Sequence, residues 1–235
     1  MKVLIIPDVH LKPWMFERAT EIMKKSVADK VVCLMDIADD WGKEFEFELY
    51  ENSYNAAIEF AKEYPDSLWC YGNHDLSYVW DMPETGYSPM MGSIVKRRLA
   101  ILEETLLDKG QLAYLHRIDD VVFCHGGLTD YFVRLYTKAS QYNNIDDVIK
   151  TINSLGEREI WEDASPVWYR PQHYNGKMYK PRKLLQVVGH TPVEKTLKQK
   201  NVISTDTFST YFDEPIGVQM FSIIDTKTWE TECIK

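Results

Sequence analysis

The amino-acid sequence predicts an α/β layered sandwich. Short apolar runs rich in β-branched and aromatic residues recur along the chain, segments of helical period lie between them, and Asp, Asn or His follows each run within a few residues.

The runs are Val3-Leu4-Ile5-Ile6, Val31-Val32-Cys33-Leu34, Leu68-Trp69-Cys70-Tyr71, Val121-Val122-Phe123-Cys124 and Leu184-Leu185-Gln186-Val187-Val188. Each is too short for a helix and too apolar for a surface strand, so all five read as buried strands. Val202-Ile203-Ser204 and Val218 to Ile224, joined by a turn-rich connection, are expected in a second sheet. Phe16, Ala19, Ile22 and Met23, and then Val95, Leu99, Leu102 and Leu106, repeat every three to four residues as helix faces do. Two inserts, Leu76 to Pro89 and Ser165 to Pro181, collect prolines and aromatics and are expected to be ordered surface loops.

At 235 residues with 45% hydrophobic content the chain can build a real core, and one domain over residues 1–235 is expected. No apolar run approaches the ~20 residues that span a bilayer. The N-terminus passes from a short strand directly into Asp8 and His10, so a soluble, cytoplasmic protein is expected. Cys33, Cys70 and Cys124 fall inside predicted strands, where Cys acts as a small apolar residue, and Cys233 lies near the end with no assigned role. A net charge of −9 argues against an extended nucleic-acid surface. Between Ala164 and Lys183 there is no Asp or Glu, while Arg170, Lys177, Lys180, Arg182 and Lys183 all occur, which predicts a local anion-attracting rim.

The residues after the strands form five ordered strings: Asp8-Val9-His10, Asp36-Ile37-Ala38-Asp39, Gly72-Asn73-His74-Asp75, His125-Gly126-Gly127 and Gly189-His190-Thr191. Carboxylate, amide and imidazole groups in this order suit a two-metal phosphoester hydrolase. Such chemistry needs a nucleophile at neutral pH and charge neutralisation at the phosphoryl oxygens, both supplied by two ions roughly 3.5 to 4 Å apart with a carboxylate able to bridge them. Asp36 is the expected bridge.

The five strings together resemble the calcineurin-like metallophosphoesterases, in the branch of the phosphoprotein phosphatases and symmetrical diadenosine tetraphosphatases, from residue 8 to about residue 207. The resemblance implies a four-layer sandwich of two mixed β-sheets flanked by helices. It makes Asp8, His10 and Asp36 ligands of one ion, and Asp36, Asn73, His125 and His190 ligands of the other. It makes His74 the general acid that protonates the leaving oxygen, with Asp39 holding its ring. Arg170, in Val167-Trp168-Tyr169-Arg170-Pro171, is similar to a phosphate-binding arginine, Asn73 would also meet the phosphate, and Asp206 would act through its neighbours. The implied cofactors are two divalent ions, manganese first, with iron or zinc as alternatives.

The chain departs from the family pattern at three places. Leu11 and Met35 stand where glycine is usual, and Asp40-Trp41 replaces an Arg-Gly pair, so Asp40 is expected to face the phosphate and weaken the grip on dianionic monoesters. The implied activity is that of a serine/threonine protein phosphatase. The alternative is hydrolysis of a nucleotide phosphoanhydride or phosphodiester, of the diadenosine polyphosphate type. A metal-binding scaffold without catalysis would have no need for six ligand positions together with His74 and Asp39. The partner is accordingly a phosphorylated protein or a phosphate-ester or nucleotide substrate, with no membrane. His116 is expected to be a surface or a packing residue, His173 to lie in the basic loop, within reach of substrate, and Lys96-Arg97-Arg98 to form a solvated helix face. Among Trp14, Trp41, Trp80 and Trp168, only Trp168 has a positional reason to approach substrate, and a packing role is expected even there.

Overall fold

The apolar runs become strands because their side chains can be buried on both faces. The computed structural model describes residues 1–235. Its strands are β1 (Lys2–Ile6), β2 (Lys30–Cys33), β3 (Leu68–Cys70), β4 (Leu112–Ala113), β5 (Leu115–Ile118), β6 (Val121–Cys124), β7 (Leu185–Val188), β8 (Leu197–Gln199), β9 (Val202–Ser204), β10 (Thr210–Tyr211), β11 (Glu214–Pro215), β12 (Phe221–Asp225) and β13 (Thr231–Ile234). The helices are α1 (Trp14–Lys24), α2 (Phe47–Glu63), α3 (Asn73–Val79), α4 (Gly92–Thr105), α5 (Asp130–Tyr136), α6 (Ile145–Asn153) and α7 (Glu157–Ile160).

Two mixed sheets result, one in the order β13-β12-β1-β2-β3-β4 and the other β5-β6-β7-β9-β8, with β10 and β11 forming a separate hairpin. The period of two along a strand sorts the side chains into layers. In β1, Leu4 and Ile6 point into a core shared with α1, α2 and α4, while Val3 and Ile5 point the other way. In β6, Val121 and Phe123 meet that second face, and Val122 and Cys124 pack toward α5 and α6. The inter-sheet core therefore lies between two helix-covered faces, which is the expected four-layer sandwich.

Helix α2 had no sequence expectation attached to it. It buries Tyr50, Tyr54, Ala57 and Ala61 as one stripe, and both tyrosines reach polar partners described below. Helix α4 bears out the expected apolar face with Val95, Leu99 and Leu102 buried. On its outer side Lys96 pairs with Asp81, and Arg97 and Arg98 pair with Glu51.

Several expectations are corrected. Leu76 to Val79 is not loop: after β3 and the two residues Tyr71-Gly72 a helix starts at Asn73, with the Leu76 amide donating to the Gly72 carbonyl at 3.1 Å. The 165–181 segment has no helix or strand, but Val167, Tyr169, Met178 and Tyr179 are buried in the core under α5 and α6, so it is packed structure with an exposed tip. The two strands expected together in a second sheet are separated: β9 pairs with β7, but the last one lies antiparallel to β1 in the first sheet. It begins at Phe221 rather than Val218 because Gln219, at φ 53°, breaks the extended run. All four cysteines are free and only Cys233, in β13, is exposed. No helix is long and apolar enough to cross a membrane.

Candidate metal centre

In both sheets the central strands run parallel: β1, β2 and β3 in one, β6, β7 and β9 in the other. Their carboxyl ends therefore lie on one side, where α/β folds place ligands. Asp8 and His10 follow β1, Asp36 and Asp39 follow β2, Asn73 and His74 follow β3, His125 follows β6, His190 follows β7 and Asp206 follows β9.

The loops after β1 and β2 are locked together. Val9, His10 and Leu11 donate their amides to the carbonyls of Met35, Asp36 and Ile37 at 3.0, 2.7 and 3.0 Å. This pairing holds non-glycine residues in the left-handed region, with φ of 41° at His10, 56° at Leu11, 56° at Met35 and 41° at Asp36. Each such residue costs about 1 to 3 kcal/mol and persists only where its surroundings enforce it. The positions of Leu11 and Met35 thus explain why glycine is the usual choice there. Both side chains are buried, and their burial offsets the backbone cost. Two glycines allow close approach: a methyl group on Gly72 would collide with Asp36 Oδ1, and one on Gly189 with Asp8 Oδ1.

The side chains converge as two groups that share Asp36. Asp8, His10 and Asp36 form one, and Asp36, His125 and His190 the other, with the donor atoms of each group within 4.8 Å of one another. His125 Nε2 lies 3.0 Å from Asp36 Oδ2, 3.1 Å from Asn73 Oδ1 and 3.2 Å from His190 Nδ1. His10 Nε2 is 3.9 Å from Asp36 Oδ2. The far nitrogens fix the rings: His10 Nδ1 donates to the Asp39 carbonyl at 2.8 Å and His125 Nδ1 to the Leu34 carbonyl at 2.8 Å, which points both Nε2 atoms inward. The expected ligands Asp8, His10, Asp36, Asn73, His125 and His190 are thus all brought together.

This set fits divalent cations. Asp8 Oδ1 and His190 Nε2 are buried without a hydrogen-bond partner, and one proton on His125 Nε2 cannot serve three surrounding acceptors. Burial pushes His10 down to about 4 and His190 well below its ordinary value, so both stay neutral and can ligate. Burial, with Asp206 and Asp36 nearby, raises Asp8 well above the carboxylate range. Burial opposes a charge on His125, yet Asp36 and Asp8 lift it to about 9, a proton that a bound cation would displace. Against the burial that would raise it, Asp36 is held low by His125, His74 and His10.

His74 stands beside the ligands. Its amide donates to Asp36 Oδ1 at 2.9 Å, and its Nδ1 lies 3.0 Å from Asp39 Oδ2. Burial would lower the ring's pKa, but Asp36 and Asp39 raise it to about 9. Asp39 Oδ1 in turn accepts the hydroxyls of Tyr50 at 2.7 Å and Tyr78 at 2.5 Å, and the Tyr78 oxygen accepts the Ser88 amide at 2.8 Å. Burial and Asp39 push both tyrosines upward, which keeps them as donors. Asp75 takes the Ile37 amide at 3.1 Å and the Tyr54 hydroxyl at 2.8 Å.

A cavity of 320 Å³ opens above this centre, lined by His10, Asp36, Asn73, His74, His190 and Arg170, with Trp41 and Trp168 in its walls. A larger cavity of 650 Å³ at the β12–β13 edge holds none of the ligands, so size alone is no guide here. Arg170 Nη1 donates to the His190 carbonyl at 2.5 Å and to Thr191 Oγ1 at 3.2 Å, which leaves its other nitrogens free toward the cavity. Asp206 lines the cavity and is fixed by the Ser209 amide at 3.1 Å and hydroxyl at 2.7 Å.

Three expectations about this region are corrected. Asp40 does not line the cavity: it is buried against Lys12 Nζ at 3.1 Å and Thr210 Oγ1 at 2.8 Å, and Lys12, which also caps the His10 carbonyl at 2.9 Å, supplies the cation that satisfies it. Trp41, given no role from sequence, lies 5.6 Å from the His10 ring and 6.1 Å from the His74 ring between centroids. The basic run does not form one rim. Arg170 enters the cavity above the candidate ligands while Lys177, Lys180, Arg182 and Lys183 line another. His173 is exposed outside the cavity lining, and His116 is buried with Nε2 donating to the Trp69 carbonyl at 3.0 Å. Lys12, Tyr50, Tyr54, Tyr78 and Asp75 went unassigned from sequence. Only Asp75, inside Gly72-Asn73-His74-Asp75, carried a local signal.

The fold and this centre define a metal-dependent phosphoester hydrolase. The family model described as calcineurin-like phosphoesterase matches residues 1–216, and the chain belongs to that family. Among solved structures it is similar to a cold-active protein-tyrosine phosphatase of a psychrophilic Shewanella species, at 15% identity over 100% of this chain and 80% of that one, with a TM-score of 0.60. It is also similar to a protein serine/threonine phosphatase from Saccharomyces cerevisiae, at 14% identity over 100% and 80% of the two chains, with a TM-score of 0.55. No curated protein sequence matches it.

Proposed function

We propose that this hydrolase is a serine/threonine protein phosphatase with a dinuclear centre, Asp8, His10 and Asp36 holding one ion and Asp36, Asn73, His125 and His190 the other. The observation that carries the reading is the His74–Asp39 pair set against the shared Asp36. An aliphatic alkoxide, as released from phosphoserine or phosphothreonine, leaves poorly without a proton, and a buried imidazole held in its charged form is placed to give one.

When bound, two divalent ions supply a hydroxide nucleophile near neutral pH and draw the phosphate in. The chain's residues do the rest. Arg170 offers its free guanidinium nitrogens to phosphoryl oxygens, and Asn73 presents its amide beside them. Asp39, anchored by two tyrosines, holds the His74 ring so that its remaining N–H faces the cavity. Oxygen and imidazole ligands without thiolate suit manganese, iron or zinc, and manganese is the first ion to test.

Trp41 and Trp168 in the cavity walls favour a second reading, in which a nucleobase stacks there during phosphoanhydride or phosphodiester hydrolysis. A turnover panel on the metal-reconstituted protein separates the two: phosphoserine and phosphothreonine peptides against diadenosine polyphosphates and aryl mono- and diesters. Highest kcat/KM on the phosphopeptides supports the phosphatase. Highest kcat/KM on the dinucleotides replaces it with the second reading.

A further inference from the structure

Outside the catalytic cavity, four basic side chains close together have little to neutralise them. Lys177, Lys180, Arg182 and Lys183 line a cavity of 530 Å³ with Tyr142, Asn143 and Pro181, and no carboxylate lines it. Asp130, beside Lys177 and Tyr142, is already engaged by Arg134 at 2.7 Å, by Lys177 at 3.5 Å and by the Tyr142 hydroxyl, and Asp120 and Asp146 are taken by Arg117. Lys180, Arg182 and Lys183 form no ion pair. One tight turn gathers them: Lys180 sits in the left-handed region at φ 41°, and its carbonyl accepts the Lys183 and Leu184 amides at 2.9 and 3.0 Å.

The turn is braced on its inner side. Lys180 Nζ donates to the Asn143 carbonyl at 2.8 Å and lies 5.8 and 5.6 Å from the ring centroids of Tyr142 and Tyr179, which are packed edge to face. Those contacts hold the ammonium in place without cancelling its charge. Burial, Lys183 and Arg117 all disfavour the charged form of Lys180, as expected where like charges are held together without a counter-ion. In a protein of net charge −9, such a concentration focuses positive potential on one small concave surface.

We propose that this cavity is a second anion site, separate from the catalytic centre, that takes a compact ligand bearing closely spaced phosphoryl groups. Three unpaired cations on one turn match a multiply charged phosphate cluster better than a single carboxylate. The proposal is independent of the substrate reading above. Free phosphate compounds and phosphorylated polypeptide segments share this chemistry.

The test follows backbone amide shifts of residues 177–184 other than Pro181 in the zinc-loaded protein. The protein is titrated with methylenebisphosphonate and, separately, with a peptide carrying two adjacent phosphonate analogues of phosphoserine, neither of which the catalytic centre can hydrolyse. Saturable shifts that weaken with added salt are expected, and the tighter probe names the source. The triple variant Lys180→Ala, Arg182→Ala, Lys183→Ala should lose affinity about tenfold or more while aryl phosphate turnover stays within about twofold. The single reversal Lys183→Glu, at an exposed position, gives the same reading with less risk to folding. Absence of shifts at about 10 mM of both probes, or equal affinity in wild type and variants, would overturn the proposal.

Discussion

His74 Nδ1 lies 3.0 Å from Asp39 Oδ2, with both side chains buried, while the His74 amide reaches Asp36 Oδ1 at 2.9 Å. One residue is thus tied both to the carboxylate shared by the two ligand groups and to the carboxylate that orients its ring. If the ring protonates the leaving oxygen, His74→Asn should lower kcat about 10² to 10⁴-fold on an alkyl phosphate and far less on an activated aryl phosphate. Equal losses on both substrates would show that the substitution displaces metals or nucleophile instead.

Tyr50 and Tyr78 both donate to Asp39 Oδ1, and Tyr78 also joins that carboxylate to the 76–89 segment through Ser88. A charge-assisted hydrogen bond of this kind contributes about 1.5 to 3 kcal/mol. Tyr78→Phe should therefore lower kcat on alkyl phosphates by up to roughly 10- to 100-fold with KM little changed, because the ring of His74 is less well held. Steady-state kinetics on alkyl and aryl substrates checks this. A purely structural role for Tyr78 would reduce both rates together.

The contrast between these residues shows what a sequence exposes. The ligand strings were legible because each sits within a few positions of a strand end, and buried strands announce themselves by composition. Tyr50 and Tyr78 were not, since nothing local distinguishes a tyrosine that packs from one that reaches a carboxylate 11 or 39 positions away. Asp40 misled for the same reason. Its neighbours in sequence suggested the phosphate, and its neighbours in space are Lys12 and Thr210.

Asp40 therefore predicts stability rather than specificity. With its partner removed, Lys12 would keep a buried ammonium without a counter-charge, at a cost of about 3 kcal/mol. Asp40→Ala should lower the melting temperature by several degrees, and the ratio of monoester to diester turnover should stay near the wild-type value. Thermal denaturation alongside paired aryl substrates reads both. A shifted ratio at unchanged stability would restore Asp40 to the phosphate site.

His116 gives a pH prediction away from the metal centre. Burial lowers its pKa below the ordinary 6.5, even though its bond to the Trp69 carbonyl favours the proton. Below 6.5 the unfolded chain binds the proton more readily than the folded one, so the stability that neutral His116 contributes is present above 6.5 and is lost as pH falls. The stability difference between wild type and His116→Gln should accordingly shrink from pH 7.5 to pH 5, as measured by urea denaturation at each pH. A difference that grows on acidification would reverse the sign and the argument with it.

The proposed dinuclear centre stands on Asp36, the one carboxylate common to both ligand groups. Metal content and turnover of the wild-type protein and Asp36→Asn, measured after saturation with manganese and removal of free ion, test it most directly. A neutral amide cannot bridge and offset two divalent charges. The wild type should hold two ions per chain, and the variant should lose at least one of them together with nearly all activity. A wild type that saturates at one ion, or a variant that keeps two ions and near wild-type turnover, would contradict the account.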